Sequence, residues 1–155
     1  KGGGYVTTSI EIRMLNADDA ELLANAGSDV FDDPVIPSSA AEFLADPRHH
    51  IAVAIAGGII VGFASAVCYA HPDKPAPEFW INEVGVAESH QGQGLAKQIM
   101  ACLLAEARRL GCTEAWVLTE QDNTAAKRLY LSSGGIESQK DVVMFEFRLS
   151  DSFEK

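Results

Sequence analysis

Three shortages narrow this chain before any motif does. Cysteine is scarce: Cys68, Cys102 and Cys112 make an odd count with no C-x-x-C spacing. That argues against a disulfide framework or a zinc site, and for reduced thiols in a cytoplasmic setting. Basic residues are scarce too, 12 against 22 acids, for a net charge of −10. Such a surface repels nucleic acid and anionic membranes and attracts cations. Long apolar runs are missing: none approaches the roughly 18 residues that span a bilayer, and no signal peptide opens the chain. His49, His50, His71 and His90 show no metal-ligand grouping. No Gly-Lys-Ser/Thr is present, so there is no P-loop.

What remains fits one domain of 155 residues, 47% hydrophobic and 22% charged, long enough to bury a real core. Residues 1–7, beginning Lys1-Gly2-Gly3-Gly4, are expected to be a flexible leader. Ile10, Ile12 and Met14 alternate and predict a first strand. Asn16 or Asp18 caps a short helix reaching Asn25. Residues 28–37 form an acidic, proline-containing loop, and Ser38-Ser39 is expected to cap a second helix near 40–45. Apolar runs at 50–56 and 59–69 flank Gly57-Gly58, a hairpin signal, and Gly62 predicts a bulge or a close backbone approach. Residues 79–86 predict another strand, with Glu83 set among apolar neighbours. The clearest helix spans 95–110, with Leu95, Ile99, Cys102, Leu103, Ala107 and Leu110 on one face and Gly111 as its stop. A short buried strand at 115–119, a helix from Asn123 to about Ser132 and a final strand at 142–149 complete the order β-α-α-β-β-β-α-β-α-β.

The most informative stretch is Gln91-Gly92-Gln93-Gly94-Leu95-Ala96, between the 79–86 strand and the long helix. The first N–H groups of a helix lack intrahelical partners and favour an anion, and small residues let a phosphate oxygen reach the main chain. A dinucleotide fingerprint starting at Gly92 needs a small residue at position 97, where Lys97 stands. The pattern Q/R-x-x-G-x-G/A fits Gln91, Gly94 and Ala96.

With that turn, the strand Phe79-Trp-Ile-Asn-Glu-Val-Gly-Val86 before it and Asn123-Thr-Ala-Ala-Lys-Arg-Leu-Tyr130 plus Gly134 after it, the chain resembles the GNAT superfamily of acetyl-CoA-dependent N-acetyltransferases from Ile10 to Leu149. The resemblance implies an α/β GNAT fold: a central mixed, mostly antiparallel sheet, splayed at the acetyl-CoA site and flanked by about four helices. It implies coenzyme A contacts at Val84, Gly85, Val86, Gln91, Gly92, Gln93, Gly94, Leu95, Ala96, Asn123 and Tyr130. Within the superfamily the chain is most similar to class I aminoglycoside 3-N-acetyltransferases, through Phe31-Asp-Asp33, the proline-rich loop and the run Asn82–Gln91. Those relatives typically carry Tyr-Asp where Asn82-Glu83 stands, and arginines near the turn where this chain has His90, Gln91 and Gly92. That departure shifts the expected phosphate contacts toward backbone amides.

Acetyl transfer to an amine needs a neutral amine, a polarised carbonyl, an oxyanion site and a protonated thiol leaving group. Glu83 is the candidate general base, against a plain salt-bridged strand residue. Backbone N–H groups of Val84 and Val86 are candidates to polarise the thioester. Tyr130 is the candidate acid for the thiolate, against a core tyrosine at helical spacing from Ala126. Asn123 either contacts the pantetheine arm or caps its helix. Asp32, Asp33, Glu78, Glu83, Glu120 and Asp122 are candidate contacts for a cationic substrate, with Asp29 and Asp141 in the wider acidic set. The reading implied is an aminoglycoside 3-N-acetyltransferase conferring resistance, with a homodimer expected from the resemblance. The alternatives are acetylation of a polyamine, a protein N-terminus or a lysine, or a catalytically inactive CoA-binding regulatory module.

Overall fold

The computed structural model describes residues 8–138 and 141–150, so the expected leader at 1–7 lies outside the described residues. Five strands form one sheet: β1 (Ile10–Met14), β2 (His49–Ala56), β3 (Ile59–Tyr69), β4 (Glu78–Val86) and β5 (Glu114–Val117). Spatial order follows sequence order. Neighbours from β1 to β4 are antiparallel, and β5 joins β4 in parallel. The parallel step needs a crossover, supplied by α3 (Leu95–Arg109). A 3-10 turn (Ala17–Asp19) leads into α1 (Ala20–Ala24), followed by α2 (Pro37–Ala45); α4 (Thr124–Ser132) follows β5.

α3 packs across β1 to β4, while α1 and α2 touch β3 and β2. Cover on both faces explains why Ile51 to Ala54 are consecutively buried, where a half-exposed strand would alternate. The core centres on Phe79, Ile60, Ile99, Leu103 and Val53, all fully enclosed. Leu95, Ile99, Met100 and Leu103 form the buried stripe of α3, each side chain contributing about 1.5–3 kcal/mol by burial. Gly111, at φ 85°, stops the helix in a left-handed conformation. Both expectations for Gly62 hold: the β2–β3 register shifts beside it, and an added Cβ would stand 3.0 Å from Ile99 Cδ1.

Three expectations fail. α2 starts at Pro37, whose fixed φ suits the first helical position, and Ser38-Ser39 lies inside the first turn with no capping side chain. β5 ends at Val117 and is not buried: Glu114, Ala115 and Leu118 are exposed. Residues 142–149 form no strand, and their apolar side chains are open to solvent. Alternation marks a segment as strand-like, but only a paired backbone makes a strand.

Candidate active site

The site is organised by an irregularity in β4. Ser65 pairs with Glu83 and Ala66 with Ile81, so Asn82 is an extra residue in the ladder. This β-bulge re-aims the strand. Asn82 is held there by Ser65, whose hydroxyl donates to Oδ1 at 3.0 Å. On its other side β4 pairs with β5 only from Glu78 to Ile81. From Asn82 to Val86 the β5 side has no strand partner among the described residues, leaving a wedge lined by main chain.

Into that wedge opens a cleft of about 670 Å³, between the second half of β4, the start of α3 and α4. The glycine turn forms one end of it. Gly92 and Gly94 take φ of 74° and 75°, which other residues resist, and nothing lies within 4 Å of where their Cβ atoms would be. The Gln91 side-chain amide donates to the Val86 carbonyl at 3.0 Å and fixes the turn against β4. Lys97 and His90 line this cleft, and no carboxylate does among the described residues. Tyr130 reaches it from α4, half-buried, its hydroxyl raised above the usual tyrosine range by burial. Asn123 also lines it, and its Oδ1 accepts from the Ala126 N–H at 3.0 Å as the cap of α4.

Across β4 lies a second cleft of about 420 Å³, between the α1–α2 connection and the sheet. Asp32, Asp33 and Glu83 line it together, with Asn82, Ser65, Phe31 and His49. Two contacts hold the acidic loop over the strand. The Phe31 ring stacks on Phe63 with centroids 4.0 Å apart, and Asp29 Oδ2 accepts from the Glu88 N–H at 2.9 Å. Gly85 allows the approach, because a Cβ there would stand 2.6 Å from the Val30 carbonyl oxygen.

A splayed β4, a glycine turn opening α3 and a wedge with Lys97 and His90 on its lining meet in one cleft. The family profile described as "Acetyltransferase (GNAT) family" matches residues 16–134. The chain belongs to this acetyltransferase (GNAT) family. N-alpha-acetyltransferase RimI of Mycobacterium tuberculosis (strain ATCC 25618 / H37Rv) is 33% identical over 130 residues, covering 83% of this chain and 79% of that protein. Among solved structures, an aminoglycoside acetyltransferase from an uncultured soil metagenomic sample in complex with sisomicin superposes with a TM-score of 0.78 at 18% identity, covering 91% of this chain and 97% of that one. Aminoglycoside N-acetyltransferase AAC(6')-Iy in complex with CoA superposes at 0.72 with 22% identity, covering 91% and 96%. At those identities the likeness shows the fold. The GNAT family makes the protein an acetyl-CoA-dependent N-acetyltransferase.

In this GNAT enzyme, Val84, Gly85, Val86, Gln91, Gly92, Gly94, Leu95, Ala96, Asn123 and Tyr130 all line the wedge-side cleft, whereas Gln93 does not. Of the acids expected to meet substrate, Asp32, Asp33 and Glu83 come together and Glu78, Glu120 and Asp122 stay apart from both clefts. Glu78 is already engaged. Lys74 pairs with one oxygen and the Tyr69 hydroxyl donates to the other at 2.8 Å, holding its carboxyl down at about 2. Glu83 is solvent-exposed and not enclosed among apolar residues, because the bulge turns this part of β4 toward the cleft.

In sequence Lys97 served only to discard a dinucleotide motif, yet the GNAT cleft has it as a cation beside the glycine turn. Its place one turn into α3 was the available signal. Ser65 was legible only as a serine in an apolar strand, since its tie to Asn82 spans 17 residues.

Proposed function

We propose that the protein transfers acetyl from acetyl-CoA to a primary amine of an aminoglycoside. One observation carries this reading: charge is segregated across β4. Among the described residues, the wedge side holds Lys97 and His90 without a carboxylate, and the opposite cleft holds Asp32, Asp33 and Glu83. An anionic donor and a polycationic acceptor would each meet complementary charge, with the acetyl group delivered at the strand between them.

In this reading the acceptor ammonium binds the acidic cleft and loses a proton to Glu83, directly or through a water. The amine nitrogen then bonds to the thioester carbonyl carbon. Backbone N–H groups of Val84 and Val86 stabilise the oxyanion, a contribution of about 3 kcal/mol per donor. The carbon–sulfur bond breaks as Tyr130, a neutral hydroxyl whose pKa burial raises further, protonates the departing thiolate; the nitrogen's second proton passes back to the Tyr130 oxygen, directly or through a water, and Glu83 returns its proton to solvent. Asn123 serves as the α4 cap beside the cosubstrate arm. The resemblance carried by Phe31-Asp-Asp33, the proline-rich loop and Asn82–Gln91 is the basis for proposing the 3-amino group as acceptor, a role in cytoplasmic resistance and a homodimer.

A second reading has its own support. The 33% identity to an N-alpha-acetyltransferase favours a protein N-terminus as acceptor, and an acidic cleft suits that ammonium as well. Release of free CoA measured with gentamicin, sisomicin, kanamycin, spermidine and a basic peptide separates the two. Turnover on aminoglycosides, with product NMR placing the acetyl on the 3-amino group, is the expected result. Turnover on the peptide alone would replace the first reading with the second. CoA binding without any turnover would leave a regulatory module. Glu83→Gln should lower kcat by roughly tenfold or more, in line with general-base contributions, and leave CoA affinity nearly intact. An unchanged kcat would remove Glu83 from the mechanism.

A further inference from the structure

Consecutive residues of a regular strand point to opposite faces of the sheet. Asn82 and Glu83 depart from that rule, for both line the acidic cleft. The bulge is the reason, since one extra residue in the ladder re-aims the side chains beside it. Two adjacent groups of unlike chemistry, a carboxamide and a carboxylate, are thereby offered to one acceptor.

The carboxamide has a fixed direction. Its Oδ1 accepts from the Ser65 hydroxyl at 3.0 Å, and Ser65 is only 8% exposed. With that oxygen engaged, the two N–H donors of Nδ2 are what Asn82 has left to offer. No protein group among the described residues accepts from them, and Asn82 is open to solvent. Donors are otherwise few in this cleft. Asp32, Asp33 and Glu83 accept when ionised, and Ser65 is committed to Asn82. Ser39 and His49 belong to α2 and β2, not to the strand that carries Glu83.

We propose that Asn82 is a specificity-determining residue that selects amines bearing an oxygen on the neighbouring carbon, the unit N–C–C–O, and that Ser65 is its positioning residue. The amine nitrogen meets Glu83 while the Asn82 amide donates to the oxygen one carbon further along. An amine lacking that oxygen leaves the donor without its partner, which is how a polar site rejects an analogue. The inference rests on the Glu83 cleft being the acceptor site, and not on which acceptor fills it. An aminoglycoside amine beside a hydroxyl or glycosidic oxygen contains the unit. So does a protein N-terminus, whose first carbonyl follows the α-carbon. Spermidine and a lysine ε-amine do not.

CoA release measured on amine pairs that differ in this oxygen tests it. The pairs are trans-2-aminocyclohexanol against cyclohexylamine, leucinamide against 3-methylbutylamine, and sisomicin or a basic peptide against spermidine. In each pair kcat/KM should favour the oxygenated member. The oxygen also lowers the basicity of its amine, but that difference belongs to the substrates and is common to every variant. The decisive quantity is therefore the change in the ratio on substitution. Asn82→Asp keeps an acceptor for the Ser65 hydroxyl and removes both N–H donors, so the ratio should fall roughly tenfold, about the worth of one hydrogen bond. Ser65→Ala frees the carboxamide to turn and should lower the ratio by a smaller factor. Calorimetric titration with CoA shows that each variant is folded. A ratio that Asn82→Asp leaves unchanged would overturn the selection and leave the acceptor cleft standing. A parent that releases CoA with no amine at all would sink the acceptor reading itself.

Discussion

The Cys68 and Cys112 sulfurs lie 3.7 Å apart, although 44 residues separate them in sequence. Cys68 is at the far end of β3, opposite Phe79 of β4, and Cys112 follows the glycine stop of α3. Both are free thiols. Burial, and then the contact with Cys68, push the Cys112 thiol up to about 11, so little thiolate forms at neutral pH. Oxidation by a small disulfide such as oxidised glutathione should nonetheless join this pair. Two thiols give up two protons and two electrons, and the reagent is reduced to two thiols. Titratable thiols should fall from three to one, faster as pH rises, and Cys68→Ser should abolish the loss. Cross-linking over this separation should add up to about 4 kcal/mol by chain entropy, less any strain. Three thiols persisting at pH 9 would refute the pairing.

Lys97 is a cation of the wedge-side cleft, one turn inside α3. A charge-assisted hydrogen bond to phosphate is worth about 1.5–3 kcal/mol. Lys97→Ala should therefore raise KM for acetyl-CoA roughly tenfold or more while leaving KM for the amine nearly unchanged. Added salt should narrow the gap between variant and parent. Steady-state kinetics with each substrate varied in turn would measure both effects.

Gly85 separates β4 from the acidic loop by the width of a missing methyl group. Its added Cβ would meet the Val30 carbonyl oxygen at 2.6 Å and the Phe63 ring at 2.9 Å, and both are fixed. Gly85→Ala should cost about 1–3 kcal/mol of stability through overpacking. It should also lift the loop bearing Asp32 and Asp33, so KM for the amine should rise along with the fall in melting temperature. A variant with unchanged melting temperature would show that the loop yields freely.

Stability should fall on mild acidification, and His50 is the group to examine. Its ring packs against Phe79 at 5.8 Å between centroids, and burial lowers its pKa despite Glu106 4.0 Å from Nδ1. The unfolded chain then binds the proton more readily, so stability is lost as pH falls below about 6.5, at no more than about 1.4 kcal/mol per pH unit. Asp19 and Glu106 have lowered pKa values through Arg13 and Arg109, and their loss follows only at more acidic pH, below the ordinary carboxylate range. His50→Gln should flatten the melting-temperature profile between pH 7 and pH 5 and leave the carboxylate limb in place. A parallel profile in the variant would clear His50 of the effect.

Much of the cosubstrate side was legible because its signals are local. The turn at 91–96 needs only neighbouring residues to take left-handed glycine conformations, and the apolar stripe of α3 repeats within one helix. Asn123 likewise resolved into a cap three residues from its donor, Ala126. The acceptor side was less legible because acidic residues look alike in sequence. Glu78 and Glu83 stand five residues apart on one strand, yet Lys74 and Tyr69 occupy the first while the bulge at Asn82 opens the second to the cleft.

By itself, the sequence determined the order of elements from β1 to α4, the family and the cosubstrate, since periodicity, glycine placement and a helix start are properties of contiguous residues. Tertiary structure decided which acids share a cleft, that Lys97 and Asp33 line opposite sides of β4, and that the sheet of the described residues ends at β5 without a strand from 142–149. Those outcomes depend on which distant segments meet. Strand pairing and the desolvation of charge are fixed only when the chain is closed in three dimensions.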